Sequence, residues 1–210
     1  MAKALIDFIS ELNHDFSILE KTRKKVESLF GKGDLTRKEI EQIYGTLFLN
    51  AFIIFEDFIE EIFLGLVTGE VESSKVKPKI LIKNKRIARE IVFSGKRYTD
   101  WFPYEEQTLK LANIFFRKGF PFAILDNSDS PILKKLCYIR NALAHKSTYS
   151  LKLFEDKVLS SVPLTQREKY PATFLRSDFR SSPAQTRYEL YIIEMMNIAI
   201  KLCKVKQPVP

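Results

Sequence analysis

The stretch LTRKEIEQIYGTLFLNAFIIFEDFIEEIFLGLVTG, residues 35–69, decides the fold class. Thr36 followed three residues later by Glu39 is a capping box: the hydroxyl accepts from the Glu39 amide while the carboxylate reaches back to the Thr36 amide. Leu35 and Ile40 stand where a hydrophobic staple closes over such a cap. Beyond it, Ile40, Ile43, Tyr44, Leu47, Ala51, Ile54, Phe58 and Ile62 recur at three- and four-residue intervals, the period of one helix face. The pattern predicts a helix from Thr36 to about Val67, stopped near Gly69. Opposite this stripe lie Leu49, Phe52, Ile53 and Phe63, with Glu56 and Glu60 embedded among them. The purely polar face is reduced to Asn50, Asp57 and Glu61. A carboxylate set in an apolar stripe needs a donor or a counter-charge. Arg140 is the natural partner for Glu56 or Glu60; the other reading leaves both carboxylates to water.

Working outward, Lys3 to Phe30 carries Leu5, Phe8, Ile9, Leu12, Phe16, Leu19, Val26 and Phe30 at helical spacing, ended by Gly31 and Gly33. After the second helix, residues 70–102 form a basic, irregular insertion. Lys79-Ile80-Leu81-Ile82 reads as a short strand or loop, and Lys85 to Phe93 as a short helix. Lys75, Lys77, Lys79, Lys83, Lys85, Arg86, Arg89, Lys96 and Arg97 make this the most basic part of the chain, a candidate phosphate-tracking surface. Pro103 suits a first helical position, with Glu105 and Glu106 following it and Gly119 as the stop. Ser130-Pro131 starts a fourth helix that runs to about His145. Residues 148–182 are mixed, with a short helix near Leu151 to Leu159. Ser182-Pro183 then opens a closing helix carrying Tyr188, Tyr191, Ile192, Met195, Ala199 and Leu202, before a loose tail at residues 206–210. The expected architecture is all-α: one domain over residues 1–210, built from about five main helices with irregular insertions at 70–102 and 148–182.

Composition narrows the function classes. A net charge of +8 favours an anionic partner, nucleic acid first and a membrane surface second; solubility is the bland alternative. Cys137 and Cys203 have no paired spacing, which argues against a disulfide framework or a cysteine zinc site and suits a reducing compartment. His14 and His145 are the only histidines, and no acidic cluster announces a carboxylate site, so neither metal nor cofactor is expected. The most apolar run, Leu47 to Phe55, is broken by Asn50 and falls short of the roughly 20 residues a span requires. The first residues carry no signal pattern, and a cytoplasmic location without membrane partner is expected.

Ile139-Arg140-Asn141-Ala142-Leu143-Ala144-His145-Lys146-Ser147 carries the chemistry. At about 100° per residue, Ile132, Leu136, Ile139 and Leu143 form one core stripe, while Asn141 and His145, four apart, share the opposite face. Cys137 and Ala144 flank that face and Arg140 lies between the two. Small residues beside a polar pair point to a partner helix or a second subunit approaching there and leaving a cleft lined by Asn141 and His145.

Arg140-Asn141-Ala142-Leu143-Ala144-His145 resembles the signature of the HEPN superfamily: an Arg, a following polar residue such as Asn, and a His a few residues on, near a helix end. The long helix bearing Phe55-Glu56-Asp57-Phe58-Ile59-Glu60-Glu61, the motif helix and the closing helix also fit. The resemblance is nearest to the group tied to RNA cleavage and bacterial defence. It implies a metal-independent endoribonuclease acting in a cleft between two subunits, with a 2′,3′-cyclic phosphate as product. It further implies a toxin or anti-phage effector restrained by an inhibitory or antitoxin protein. Arg140, Asn141 and His145 would be catalytic and Glu56 and Glu60 auxiliary, with Lys146, Lys96 and Arg97 on RNA. Histidine titrates near neutrality and can move the 2′-hydroxyl proton; an arginine fork can hold two phosphate oxygens in the charged transition state. Family members paired with nucleotidyltransferase antitoxins often carry Tyr two residues after the His. Here Ser147 stands there and the next tyrosine is Tyr149, which weakens the case for control by tyrosine modification. Two competing readings remain: a non-catalytic HEPN dimer that binds RNA or nucleotide or serves in assembly, and a helical protein that binds DNA or a membrane surface through its basic stretch. A purely structural His145 would instead bond free carbonyls at the helix end. Phe115, Phe116, Phe120 and Phe122 read as core rather than a base-stacking platform.

Overall fold

The computed structural model describes residues 3–72, 76–160 and 164–203; Lys75 and the tail at 206–210 lie outside them. The described chain is all-α apart from two short strand pairs, and it separates into two compact units, each assembled from distant parts of the sequence. No helix is long and apolar enough to cross a membrane among the described residues.

The helices α1 (Leu5–Gly31) and α2 (Arg37–Thr68) match the expected spans. The capping box forms as the spacing required. The Thr36 amide donates to Glu39 Oε2 at 2.7 Å, and the Glu39 amide donates to Thr36 Oγ1 at 3.3 Å. Lys3–Ala4, strand β1, pairs in parallel with β2 (Val71–Glu72).

One unit comprises residues 1–12, 55–133 and 196–210. Its core is aromatic. Phe63, fully buried, has the rings of Trp101, Phe116 and Phe122 each 5.1 Å from its centroid. Around it run α3 (Lys85–Val92) and α4 (Thr108–Phe115). Asn84 caps α3 by accepting from the Ile87 amide. Residues 79–82 form no strand: the Lys79 amide bonds the Phe115 carbonyl and the Ile82 amide the Val67 carbonyl, so the segment is pinned at two points. The helix expected after Pro103 begins five residues later, at Thr108. Tyr104 is buried and donates to the Phe122 carbonyl, while the Thr108 hydroxyl donates to the Trp101 carbonyl. Residues 103–107 instead form turns, with the Gln107 amide on the Pro103 carbonyl and the Leu109 amide on that of Tyr104.

The other unit comprises residues 13–54 and 134–195. It packs parts of α1 and α2 with α5 (Asp129–His145), α6 (Thr148–Phe154), α7 (Pro171–Arg176) and α8 (Arg187–Cys203). Tyr44 meets Tyr188 edge-on at 5.7 Å, and Phe154 meets Phe174 at 5.5 Å. Gly45 allows a close approach: a Cβ there would lie 3.1 Å from Leu143 Cδ2 and 3.6 Å from Ala172. The helix α5 starts at Asp129 rather than Pro131, because Asp129 Oδ2 accepts from the Asp126 amide and closes the turn ahead of it. The Ser182-Pro183 step does not open the last helix. It turns a hairpin, β3 (Asp178–Ser181) with β4 (Ala184–Thr186), and α8 begins at Arg187 behind a second capping box, Thr186 with Glu189.

Candidate functional site

The site is built by the last turn and a half of α5. Leu136 and Ile139, fully buried, seat the helix. That leaves Arg140 and Asn141 half-buried and His145 exposed at the helix end. Arg140 Nη1 donates to Asn141 Oδ1 at 3.0 Å and stands 3.4 Å from His145 Nε2. A guanidinium only donates. A hydrogen bond across this gap therefore requires Nε2 to accept. The imidazole turns back along its helix to Arg140, in place of the end-carbonyl contact that a purely structural histidine would make.

Lys146, at φ +49°, takes the left-handed conformation that ends the helix. Ser147 then caps α6 by accepting from the Ser150 amide at 3.1 Å. The next helix thus starts within three residues of His145, and Lys146 and Tyr149 are exposed. Tyr149, 73% exposed, offers an open ring face that the sequence reading did not assign to the site. The cluster holds a fixed cation, a base and an amide within hydrogen-bonding reach, so it can grip an oxyanion and move a proton.

The remaining candidates stand elsewhere. Glu60 is half-buried, as expected, but its partners are Arg89 Nη1 at 3.0 Å and Trp101 Nε1 at 3.0 Å, where Arg140 was the cation expected. Both partners come from the 70–102 insertion, more than twenty residues along the chain, so no helical spacing could reveal them. Glu56 is half-buried in the same unit. Lys96 and Arg97 are exposed in that unit, in the turn after α3. Much of the charge of the insertion is neutralised: Lys85 pairs with Glu61 at 2.8 Å, Arg89 with Glu60, and Arg86 with Glu90 at 3.5 Å. Lys79 Nζ is spent on the Asn113 carbonyl. Among the described residues, a phosphate-tracking surface there is left with Lys77, Lys83, Lys96 and Arg97. Phe115, Phe116 and Phe122 are core, as read.

In the unit that holds Arg140, an open cleft of about 870 Å³ is walled by Arg23, Glu27, Arg37, Arg167 and Arg176, among others. Arg23 bonds Glu20, Glu189 and the Tyr44 hydroxyl; Arg176 bonds Glu27 at 3.0 and 3.1 Å. Burial opposes the charge of Glu27, yet the bonds from Arg176 and Tyr44 outweigh it and hold its carboxyl below the usual range. The guanidiniums of the buried Arg23 and the half-buried Arg176 already have carboxylates, so the cleft reads as a structural ion-pair network. No group of three or more His, Cys, Asp or Glu placed to hold a metal ion occurs among the described residues.

The fold and site together define a class no finer than an all-α protein with an Arg-Asn-His cluster at a helix end. No family model, curated protein or solved structure matches the chain.

Proposed function

We propose that this protein is a metal-independent endoribonuclease of HEPN type, working as a homodimer and serving as a toxin or defence effector under a protein inhibitor. The observation that carries the reading is the Arg140–Asn141–His145 cluster, with Nε2 as acceptor and the imidazole open to solvent. In the proposed reaction the substrate phosphate draws the Arg140 guanidinium off His145, and the freed Nε2 lone pair takes the proton of the ribose 2′-hydroxyl. The 2′-oxygen bonds phosphorus, the bond from phosphorus to the 5′-oxygen breaks, and His145 of a second copy in its imidazolium form returns a proton to that oxygen. Arg140 neutralises the charge gathered on the phosphoryl oxygens, a role worth about 2.7–4 kcal/mol for a single well-aimed donor. Asn141 holds the guanidinium in place. Lys146 adds charge beside the phosphate, and Lys96 and Arg97 serve as further RNA-binding cations.

The test is incubation of wild type, Arg140→Ala and His145→Ala with total tRNA and rRNA in EDTA. The expected result is wild-type cleavage to fragments ending in a 2′,3′-cyclic phosphate, at least about 100-fold slower in either variant. Both variants should keep the wild-type circular dichroism spectrum, since neither side chain is in a core. Cleavage that survives His145→Ala, or that vanishes on chelation, would remove the mechanism. RNA binding without cleavage, indifferent to His145→Ala, would favour the non-catalytic dimer.

A further inference from the structure

In the unit that holds Arg140, a cavity of about 290 Å³ opens where α7 and the β3–β4 hairpin meet the first turns of α8. Arg187 is its informative residue. It is 8% exposed, and its Cζ lies 4.9 Å from the centroid of the Phe174 ring. A guanidinium carries five N–H donors. One goes to Ser177 Oγ, and the nearest carboxylate, Glu168 Oε1, stands 3.9 Å away. Arg23, in the same unit, has carboxylate oxygens at 2.6 and 2.7 Å. The two environments act in opposite directions: burial draws the Arg187 guanidinium below the ordinary arginine range, while the hydrogen bond with Glu20 raises that of Arg23. A buried cation so thinly compensated is costly until an anion reaches it. A second cation, Lys135 of α5, half-buried, also lines the cavity.

The rest of the wall is apolar and mostly aromatic. Phe174 and Tyr191 lie 6.4 Å apart and tilted, and Leu190 and the exposed Phe179 flank them. The volume sits just below the range for ligand pockets, roughly 300–1,000 Å³, which suits a body of about one ring and excludes a polymer segment. We propose that this cavity binds a small organic anion: Arg187 and Lys135 take a carboxylate or phosphate-ester head, and Phe174, Phe179, Leu190 and Tyr191 take an aromatic or branched aliphatic body. Arginine grips either head through two parallel N–H bonds, and Lys135 adds a point charge. No residue of the Arg140–His145 cluster takes part, so the site stands whether or not the chain cleaves RNA.

Fluorine NMR of the purified protein tests this with 4-fluorophenylacetate, with 4-fluorobenzyl phosphate as the phosphate arm and neutral 4-fluorophenylacetamide as control. The expected result is saturable binding of at least one anionic probe, at least about tenfold tighter than the amide. The stronger of the two anions identifies the head group. Leu190→Trp, at a half-exposed position on the cavity wall, should fill the space and abolish binding while the protein stays folded. Arg187→Gln should weaken the anion about tenfold or more and leave the amide unchanged. Arg187 also ties α8 to Ser177, so Leu190→Trp carries the test if the glutamine variant fails to fold. Equal affinity for amide and anions, no saturation by wild type at millimolar probe, or unchanged binding to Leu190→Trp would each overturn the proposal.

Discussion

Replacing Arg23 by methionine removes the node of the ion-pair network beside α8. The guanidinium, with a side chain 10% exposed, holds Glu20 with two bonds of 2.7 Å, Glu189 with one of 2.6 Å and the Tyr44 hydroxyl at 3.2 Å. Deleting one partner of a buried ion pair costs about 3–5 kcal/mol, because the other charge is stranded. Here the stranded carboxylates keep 30% and 26% exposure, so water recovers part of their solvation. Methionine also keeps the apolar stem packed. These two corrections bring the expected loss to about 2–3 kcal/mol. For a chain of 210 residues that is a fall in Tm of roughly 4–12 °C. Urea unfolding at pH 7, followed by circular dichroism, measures it. The Arg23→Met/Glu189→Gln double variant should lose less than the sum of the singles by about 1 kcal/mol or more, since each single change breaks the same pair. A loss below about 0.5 kcal/mol for Arg23→Met would show that the network is ornamental and refute the reasoning.

Gly65→Ala should destabilise the protein although alanine favours a helix by about 1 kcal/mol. The new Cβ would lie 2.4 Å from Val71 Cγ2, a buried side chain, and overpacking of this kind costs about 1–3 kcal/mol. Adding Val71→Ala should recover part of that loss, and an increase in stability for Gly65→Ala alone would contradict the packing described. For Asp126, the side-chain and backbone bonds from Ser128, helped by Lys201, hold the carboxyl at about 2, against 3.8 for the unperturbed group. Its folded value is depressed, so its contribution to stability is complete above about pH 4 and fades as the pH falls towards 2. A titration of the Asp126 side-chain carbonyl by NMR should find the midpoint near 2, and Asp126→Asn should flatten the acid limb of the stability profile; a midpoint near 4 would count against these contacts.

Much of the helical frame was legible because its signals are local. The Thr36–Glu39 box, the apolar period of α2 and the glycine stop of α1 each involve residues within a turn or two of one another. The Thr186–Glu189 box was equally open to reading, but Ser182-Pro183 offered a competing start, and only the pairing of β3 with β4 shows that the proline belongs to a hairpin. Arg140, Asn141 and His145 lie on one helix: its period puts Asn141 and His145 on one face, and the long Arg140 side chain reaches round to the imidazole.

Sequence alone determined the helical class, the long amphipathic helices and the motif at the end of α5, because hydrophobic period, caps and i to i+5 geometry are properties of a single segment. Tertiary structure alone decided that Glu60 answers to Arg89 and Trp101, that the buried Tyr104 donates to the Phe122 carbonyl, and that Arg187 is buried in a cavity with its nearest carboxylate at 3.9 Å. Those outcomes depend on which distant groups share a desolvated space. Burial makes an unmet charge or donor costly, and no periodicity along the chain encodes which distant partner will meet it.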